Sequence, residues 1–153
     1  MLHICSILFF IYNFSHLLVR SFEKNTNKII NIIDTNLIDN KLDIYYERRI
    51  KSNKRMFSKL QKIKIPYDIY GLRVIYNDNA DYYNTKSAYT IKNIIEENFN
   101  TLDFISDDYI EKPKANNYQS LHLYVVTPLL IEIQIRNSNM HNIAINGSAS
   151  HYY

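Results

Sequence analysis

Two carboxylates and a short polar, ring-bearing segment stand out from a chain that otherwise reads as isoleucine-rich core. Glu132 lies alone among isoleucines in the stretch IEIQIR. Asp68 sits near the start of the β-branched and aromatic run YDIYGLRVIY, where an acid is disfavoured unless something uses it. Ahead of Glu132 come a Lys/Asn-rich loop over residues 112–117 and then Tyr118, Gln119, Ser120, Leu121 and His122. Upstream, Lys51, Arg55 and Lys59 recur every four residues in ERRIKSNKRMFSKLQKIK. Carboxylates hold a hard divalent cation or take a proton, an aromatic ring stacks on a planar ligand, and cations at turn spacing clamp a polyphosphate. Each feature also has a plainer explanation. Asp68 alone reads as a strand-end residue capped by water or a backbone amide, and a basic stripe as a solvated helix face.

The elements that must position these residues can be read from periodicity. Leu121, Leu123 and Val125 alternate before the Thr127-Pro128 turn, and Ile131, Ile133 and Ile135 alternate after it, which predicts a hairpin. If the two apolar faces form one buried side, Tyr118, Ser120, His122 and Tyr124 share the opposite side with Glu132, Gln134 and Arg136. Such a mixture on one surface describes a site rather than a core. Ile29, Ile30, Ile32, Ile33, Leu37 and Ile38 predict one or two amphipathic helices over residues 28–42, and residues 43–46 a short strand. The basic stripe is read as a helix with Met56, Phe57 and Leu60 on its other side, and Tyr67 to Tyr76 as a strand. Ala88, Ile91, Ile94 and Ile95 predict a helix over residues 86–98. Met140, Ile143, Ala144 and Gly147 predict a last helix after a Ser138 cap. This order predicts an α/β (α+β) fold, a mixed β-sheet flanked by helices.

At 153 residues the chain has room for one domain with a proper core. A net charge of +3 is too small by itself to argue for nucleic acid, and the single cysteine, Cys5, excludes disulfides and a cysteine zinc site. Residues 2–19, LHICSILFFIYNFSHLLV, form an apolar run interrupted by His3, Asn13 and His16. We read residues 1–22 as a signal or leader segment, with a buried helix as the alternative; the polar interruptions disfavour a membrane anchor. The polar residues 21–27 read as a linker. The expected organisation is thus a leader over 1–22, a linker and N-terminal helix over 23–36, and the working domain over 37–153.

The blocks RIKSNKRMFSKL, YDIYGLRVI, DDYIEKPKANNYQSLH, IEIQIR and MHNIAINGSASH occur in this chain in the order and spacing of the synthetase domain of RelA/SpoT proteins. The resemblance runs from about Leu37 to the end, and it is the combination of five blocks that is specific. It implies a fold similar to the DNA polymerase β-like nucleotidyltransferases. The implied activity is that of a (p)ppGpp synthetase, or GTP diphosphokinase, of the stringent response. Such an enzyme transfers pyrophosphate from ATP to the ribose 3′-hydroxyl of GDP or GTP, giving AMP and ppGpp or pppGpp. By the same resemblance Asp68 and Glu132 are the catalytic and metal-binding carboxylates, with Mg²⁺ as cofactor and Glu132 as general base. Arg49, Lys51, Arg55 and Lys59 fall on the ATP side. Lys114, Asn116, Tyr118 and His122 fall on the GDP/GTP side, with Tyr118 stacking on guanine. Gln134 and Arg136 support the strand.

The chain departs from the family pattern at several points. Arg55 stands where Ser is usual, Asn117 where Gly precedes the stacking Tyr, and Ile145 where Glu is usual. No second Arg for the adenine appears between Arg73 and Asp108. The sequence ends at Tyr153, where relatives continue, which is read as a fragment or a divergent end. No His-Asp pair occurs, so no ppGpp hydrolysis is expected, and the acidic Ser106-Asp107-Asp108 is similar to the synthetase-only branch. ATP and GDP or GTP are the expected partners, without nucleic acid and without stable membrane association after leader removal; a homo-oligomer is left open. The leader points to a plastid-like organelle, with the cytoplasm as the alternative. Two other classes stay open: a non-catalytic guanine-nucleotide-binding regulatory module, and an RNA-binding domain using the basic stretch and the tyrosines.

Overall fold

The computed structural model describes the backbone over residues 2–38, 42–51, 67–77 and 85–146, with side chains from residue 15 onward. Its strands are β1 (Asp43–Ile50), β2 (Tyr70–Asn77), β3 (Asp107–Asp108), β4 (Leu121–Val126) and β5 (Leu130–Asn137). Its helices are α1 (Leu2–Leu37), α2 (Lys86–Asn98) and α3 (Ser138–Asn146), and a 3₁₀ turn covers Asp103–Ile105. The five strands form one sheet in the order β1-β2-β5-β4-β3. Only the central pair β2 and β5 is parallel among these neighbours; the other pairs are antiparallel. The expected mixed sheet with flanking helices is the observed architecture.

The β4–β5 hairpin has the register that alternation demands. Leu121 faces Ile135, Leu123 faces Ile133 and Val125 faces Ile131, while His122 faces Gln134 and Tyr124 faces Glu132. Because partners directly opposite share a face, all the apolar residues lie on one side and all the polar ones on the other. On the apolar side the sheet, including Leu72 and Val74 of β2, is buried against Phe22, Ile29 and Ile33 of α1 and Ala88, Ile91 and Ile95 of α2. Here α2 matches the expected helix residue for residue, since its buried positions are the four that the periodicity singles out.

Three expectations change. Residues 21–27 are helical rather than a linker, within one helix that spans Leu2–Leu37. Phe22 belongs to the core, and the buried Thr26 hydroxyl donates to Phe22 O at 2.9 Å while accepting from Arg48 Nε at 2.7 Å. The polar look of the segment comes from its solvent side. Next, β1 runs on through ERRI to Ile50, where a helix was expected to begin, and Lys51 N continues the ladder to Ile69 O at 2.8 Å. Arg48 lies on the apolar side of the sheet, yet its guanidinium reaches Thr26 and Asn27 of α1 and so stays hydrogen-bonded. Thirdly, the cap of α3 is Asn137, whose Oδ1 accepts from Met140 N at 2.8 Å. The Ser138 hydroxyl instead donates to Tyr76 O. The rest of the basic stretch, with Arg55 and Lys59, lies outside the described residues, as does Gly147.

Helix α3 is fastened across the polar side of the sheet by His141. Arg136 Nη2 lies 2.9 Å from His141 Nδ1, and Glu47 Oε1 lies 3.8 Å from its Nε2. A guanidinium only donates, so Nδ1 accepts and Nε2 carries the proton facing Glu47. Burial and the Arg136 charge push the imidazole pKa down, with Arg73 adding to them against the raising effect of Glu47.

Two outcomes are expected from this packing. Ile133 is fully buried between Leu72 and Leu123, so Ile133→Ala should lower the unfolding free energy by about 2–5 kcal/mol in urea titrations. His141 has a depressed folded pKa, so as pH falls the unfolded chain takes up this proton first. Its share of stability is whole above the ordinary imidazole range and is lost from about pH 6.5 downward through the folded pKa. Stability should therefore fall more steeply between about pH 7 and pH 5 in the parent protein than in His141→Gln, measured by the same titrations at each pH.

Candidate active site

The polar side of the sheet is organised in rows that cross the strands. One row runs Arg49, Gly71, Glu132, Tyr124, and the next Glu47, Arg73, Gln134, His122, Asp107. At the centre stands Glu132, only 6 % exposed on the middle strand. Three donors meet its carboxylate. His122 Nδ1 lies 3.1 Å and the Tyr124 hydroxyl 3.3 Å from Oε1, and Gln134 Nε2 donates to Oε2 at 3.0 Å. Burial and the nearby Asp68 push the carboxyl pKa up, but the His122 contact, helped by Tyr124, outweighs them and holds it below the usual carboxylate value. A buried carboxylate is therefore kept charged, as a proton acceptor at neutral pH must be.

Each donor is itself held. With Nδ1 committed to Glu132, His122 Nε2 meets the Tyr118 hydroxyl at 2.8 Å. Gln134 Oε1 accepts from Arg73 Nε at 3.3 Å, and Arg73 Nη1 donates to Glu47 Oε2 at 2.9 Å. Through Glu47, His141 and Arg136 the contacts pass on to α3, and the Arg136 guanidinium lies 6.0 Å from the Tyr118 ring. The Tyr124 phenol, opposite Glu132 and buried, has its pKa pushed far up and stays a neutral donor.

Asp68 lies in the turn before β2 rather than within the strand, and its Oδ2 pairs with Lys51 Nζ at 2.5 Å. Lys51 is 8 % exposed and follows β1, so it does not belong to the helical stripe expected from its spacing. Arg49 is half-buried on the same side of β1, opposite Gly71. Among the described residues no cluster of three or more His, Cys, Asp and Glu side chains is arranged to hold a metal ion. Mg²⁺ requires less, because one or two carboxylates suffice when a polyphosphate supplies the remaining oxygens. Asp68 and Glu132, near enough for one to raise the proton affinity of the other, with the Lys51 ammonium already against Asp68, fit that requirement.

The loop from Tyr109 to Tyr118 closes the other end. Lys114 N bonds Tyr118 O at 3.2 Å and Asn117 N bonds Lys114 O at 2.8 Å, with Asn117 at φ 61°. This is the three-residue turn whose left-handed position favours Gly, and Asn is the residue that tolerates it next best. Asn116 Oδ1 accepts from Tyr118 N, and Lys114 Nζ lies 4.0 Å from the Tyr109 ring centre and 5.2 Å from that of Tyr118. Tyr118 itself is only 2 % exposed, edge-on to Tyr109 and to His122. His122 also borders a cleft of about 550 Å³ on the β3 side, whose lining includes Glu96, Asp103, Asp107 and Asp108. Asp108 is occupied as well, accepting from Ile110 N, Glu111 N and the Tyr89 hydroxyl.

The structure thus unites Asp68 with Lys51, and Glu132 with His122, Tyr118 and Gln134, while Lys114 and Asn116 shape the loop beside them. Arg73, Glu47 and His141 join the network without having been singled out from sequence, whereas Tyr124 was placed on this face but given no role. Tyr124 was within reach, since alternation sets it beside Glu132. Glu47 was hidden in a stretch that reads as helix, and Arg73 and His141 become visible only with the β1–β2 register and the α3 crossing.

Residues 48–153 match the sequence profile described as a region found in RelA / SpoT proteins. The chain is 36% identical over 124 residues to a probable chloroplastic GTP diphosphokinase of Arabidopsis thaliana, covering 71% of this chain and 21% of that protein. It is 35% identical over 121 residues to a probable guanosine-3′,5′-bis(diphosphate) 3′-pyrophosphohydrolase of Mycoplasma genitalium, covering 76% of this chain and 16% of the relative. The chain therefore spans about a fifth or less of the length of these relatives. Among solved structures it superposes on small alarmone synthetase 1 of Bacillus subtilis bound to its product pppGpp, with a TM-score of 0.69 at 21% identity over 92% of this chain and 81% of the other. Small alarmone synthetase 2 of Bacillus subtilis follows at 0.66 and 25% identity, over 86% of this chain and 74% of the other. By the matched region and by its fold, the chain belongs to the RelA/SpoT family.

Proposed function

We propose that this chain is a (p)ppGpp synthetase, transferring pyrophosphate from ATP to the 3′-hydroxyl of GDP or GTP. The observation that carries the reading is Glu132, buried, ionised and held by three donors on the central strand of a RelA/SpoT-family sheet, within electrostatic reach of Asp68. Relatives carry both synthetase and pyrophosphohydrolase names. Synthesis is the activity proposed here because the polar face supplies a buried carboxylate base near a second carboxylate. Two named relatives are chloroplastic, in Arabidopsis thaliana and in Oryza sativa subsp. japonica, which supports a plastid-like location.

In the proposed reaction the 3′-oxygen of the acceptor attacks the β-phosphorus of ATP and the bond between that phosphorus and the α–β bridging oxygen breaks. AMP leaves, and the hydroxyl proton passes to Glu132. The carboxylates of Asp68 and Glu132 would hold Mg²⁺, which supplies neutralisation of triphosphate charge. Arg49 and Lys51 meet the ATP side; Arg55 and Lys59, assigned to it by the resemblance, lie outside the described residues. His122 fixes Glu132 towards the acceptor and Gln134 keeps its second oxygen in place. Lys114, over the Tyr109 and Tyr118 rings, gives up the Tyr118 face to guanine and turns its ammonium to the guanosine phosphates. Asn116 holds the turn that presents Tyr118.

Glu132→Gln should lower kcat by at least about 100-fold while GDP or GTP still binds, since the change removes the base but little shape. Incubation with Mg²⁺, γ-labelled ATP and either acceptor, resolved by chromatography, reads this directly; full activity in the variant removes the assignment. Tyr118→Ala should raise KM for the guanosine nucleotide about tenfold and leave that for ATP unchanged. Tyr118→Phe should keep KM and lower kcat, because it retains the ring and loses the hydroxyl on His122. An effect of Tyr118→Ala confined to ATP contradicts the guanine-stacking role. Guanosine nucleotide binding with no product in the parent protein favours the regulatory-module reading.

A further inference from the structure

Strand β1 ends the sheet, and its outer edge is open. Only β2 lies beside it in the order β1-β2-β5-β4-β3. At the other end β3 is two residues long, and Thr101 bridges Val125 further along β4, so little edge remains there. By contrast β1 runs for eight residues in unbroken register with β2. Lys51 N donates to Ile69 O in that register, so the odd-numbered residues turn their N–H and C=O towards β2 and the even-numbered ones turn theirs outward. The outward groups belong to Ile44, Tyr46, Arg48 and Ile50, and among the described residues no hydrogen bond from another element reaches them. An edge of this length, with neither Pro nor bulge, is a template for a further strand. The one charge on its apolar side does not spoil it, because the Arg48 guanidinium is turned in to Thr26 and Asn27 of α1.

Side chains select which strand fits. Asp43, Tyr45, Glu47 and Arg49 share the polar side of β1, and the first three are exposed. Two copies of β1 can meet antiparallel about a two-fold axis, outward groups against outward groups, in a few registers only. An axis at Tyr45 sets Asp43 against Glu47, an axis at Glu47 sets two Glu47 side chains together, and an axis at Arg48 two arginines. With the axis at Tyr46, Asp43 faces Arg49 and Tyr45 faces Glu47, each twice, and no like charges meet. Ile44 then faces Arg48, and the two Tyr46 rings stand together at the axis, each hydroxyl already donated to Asp34 of its own α1.

We propose that β1 is a self-association edge: a second copy of this chain adds its own β1 antiparallel to the first, with the two-fold axis at Tyr46. The two sheets become one continuous sheet, with both polar sides facing the same way. Ile44 with Arg48, Tyr46 with Tyr46 and Arg48 with Ile44 each exchange a pair of backbone hydrogen bonds. The Asp43 carboxylate of each copy stands opposite Arg49 of the other. This pairing holds whatever reaction the polar side performs.

Sedimentation equilibrium of the full chain over a concentration series tests it. The parent should dimerise with a dissociation constant on the order of 10–100 μM, as suits a small interface. Asp43→Arg places an arginine against each Arg49 and should weaken the dimer about tenfold or more, with an unchanged melting temperature. Register is read by mild oxidation in a Cys5→Ser background, mixing a chain that carries Tyr45→Cys with one that carries Glu47→Cys. These positions are directly opposite with Cα atoms about 4.5 Å apart, so the unlike chains should join by a disulfide and neither chain alone should. A parent that stays monomeric at about 500 μM overturns the proposal and leaves the edge to an extended segment of another protein. A dimer that keeps its strength in Asp43→Arg also overturns it, as does one whose unlike cysteines do not join or whose like cysteines join as readily, since the copies then meet through another surface or register.

Discussion

A carboxylate buried in the middle of a sheet is costly unless donors surround it, and the polar half of this structure follows from that requirement at Glu132. Three donors reach its two oxygens, and each of the side chains involved is set by the hairpin register or by β5 itself. Moving the register by one residue would carry Glu132 into the isoleucine face and its donors out of reach. The same pairing that buries Ile131, Ile133 and Ile135 therefore holds the Glu132 carboxylate charged. Core packing and the charged network thus share one strand.

The network around Glu132 also gives distant residues a part in holding it. Contacts run from Gln134 through Arg73 to Glu47, from there to His141 and Arg136, and back by way of Tyr118 and His122. The closed path crosses β1, β2, β5, α3 and the Tyr118 loop. Displacement of one of these hydrogen-bonded groups leaves a neighbour exposed to the full cost of losing its partner. The Tyr118 loop is thereby tied to the Glu132 carboxylate through its hydroxyl on His122.

At the other end of the sheet the Lys51–Asp68 pair has a different character. A buried ion pair yields little net stability, since desolvation of the two ions offsets their attraction. What the pair does is keep a cation and a carboxylate together at the end of β1 and β2, beside the row that contains Gly71. Cations and a carboxylate thus stand on either side of Gly71, Arg49 and Lys51 at the β1 edge and Glu132 on β5.

Much of this was legible in the linear order of residues. Strict two-residue alternation forced the hairpin, its apolar side and the company of Glu132, because side chains of a strand have no third direction to take. The spacing of Ala88, Ile91, Ile94 and Ile95 likewise determined α2. Asn117, standing where the family pattern has Gly, takes the left-handed turn that few other side chains accept. What tertiary structure alone decided were the pairings between elements far apart in the chain. Charged residues follow no reliable period, so ERRI looked helical until β2 drew it into the sheet, and Lys51 looked like a surface cation until burial matched it with Asp68. Residues 21–27 looked like a linker until the core claimed Phe22 and Arg48 found Thr26. Patterns of burial are written locally, one face against another; the partner of a charge is whichever residue the fold brings within 3 or 4 Å, and that is settled only when the sheet has closed.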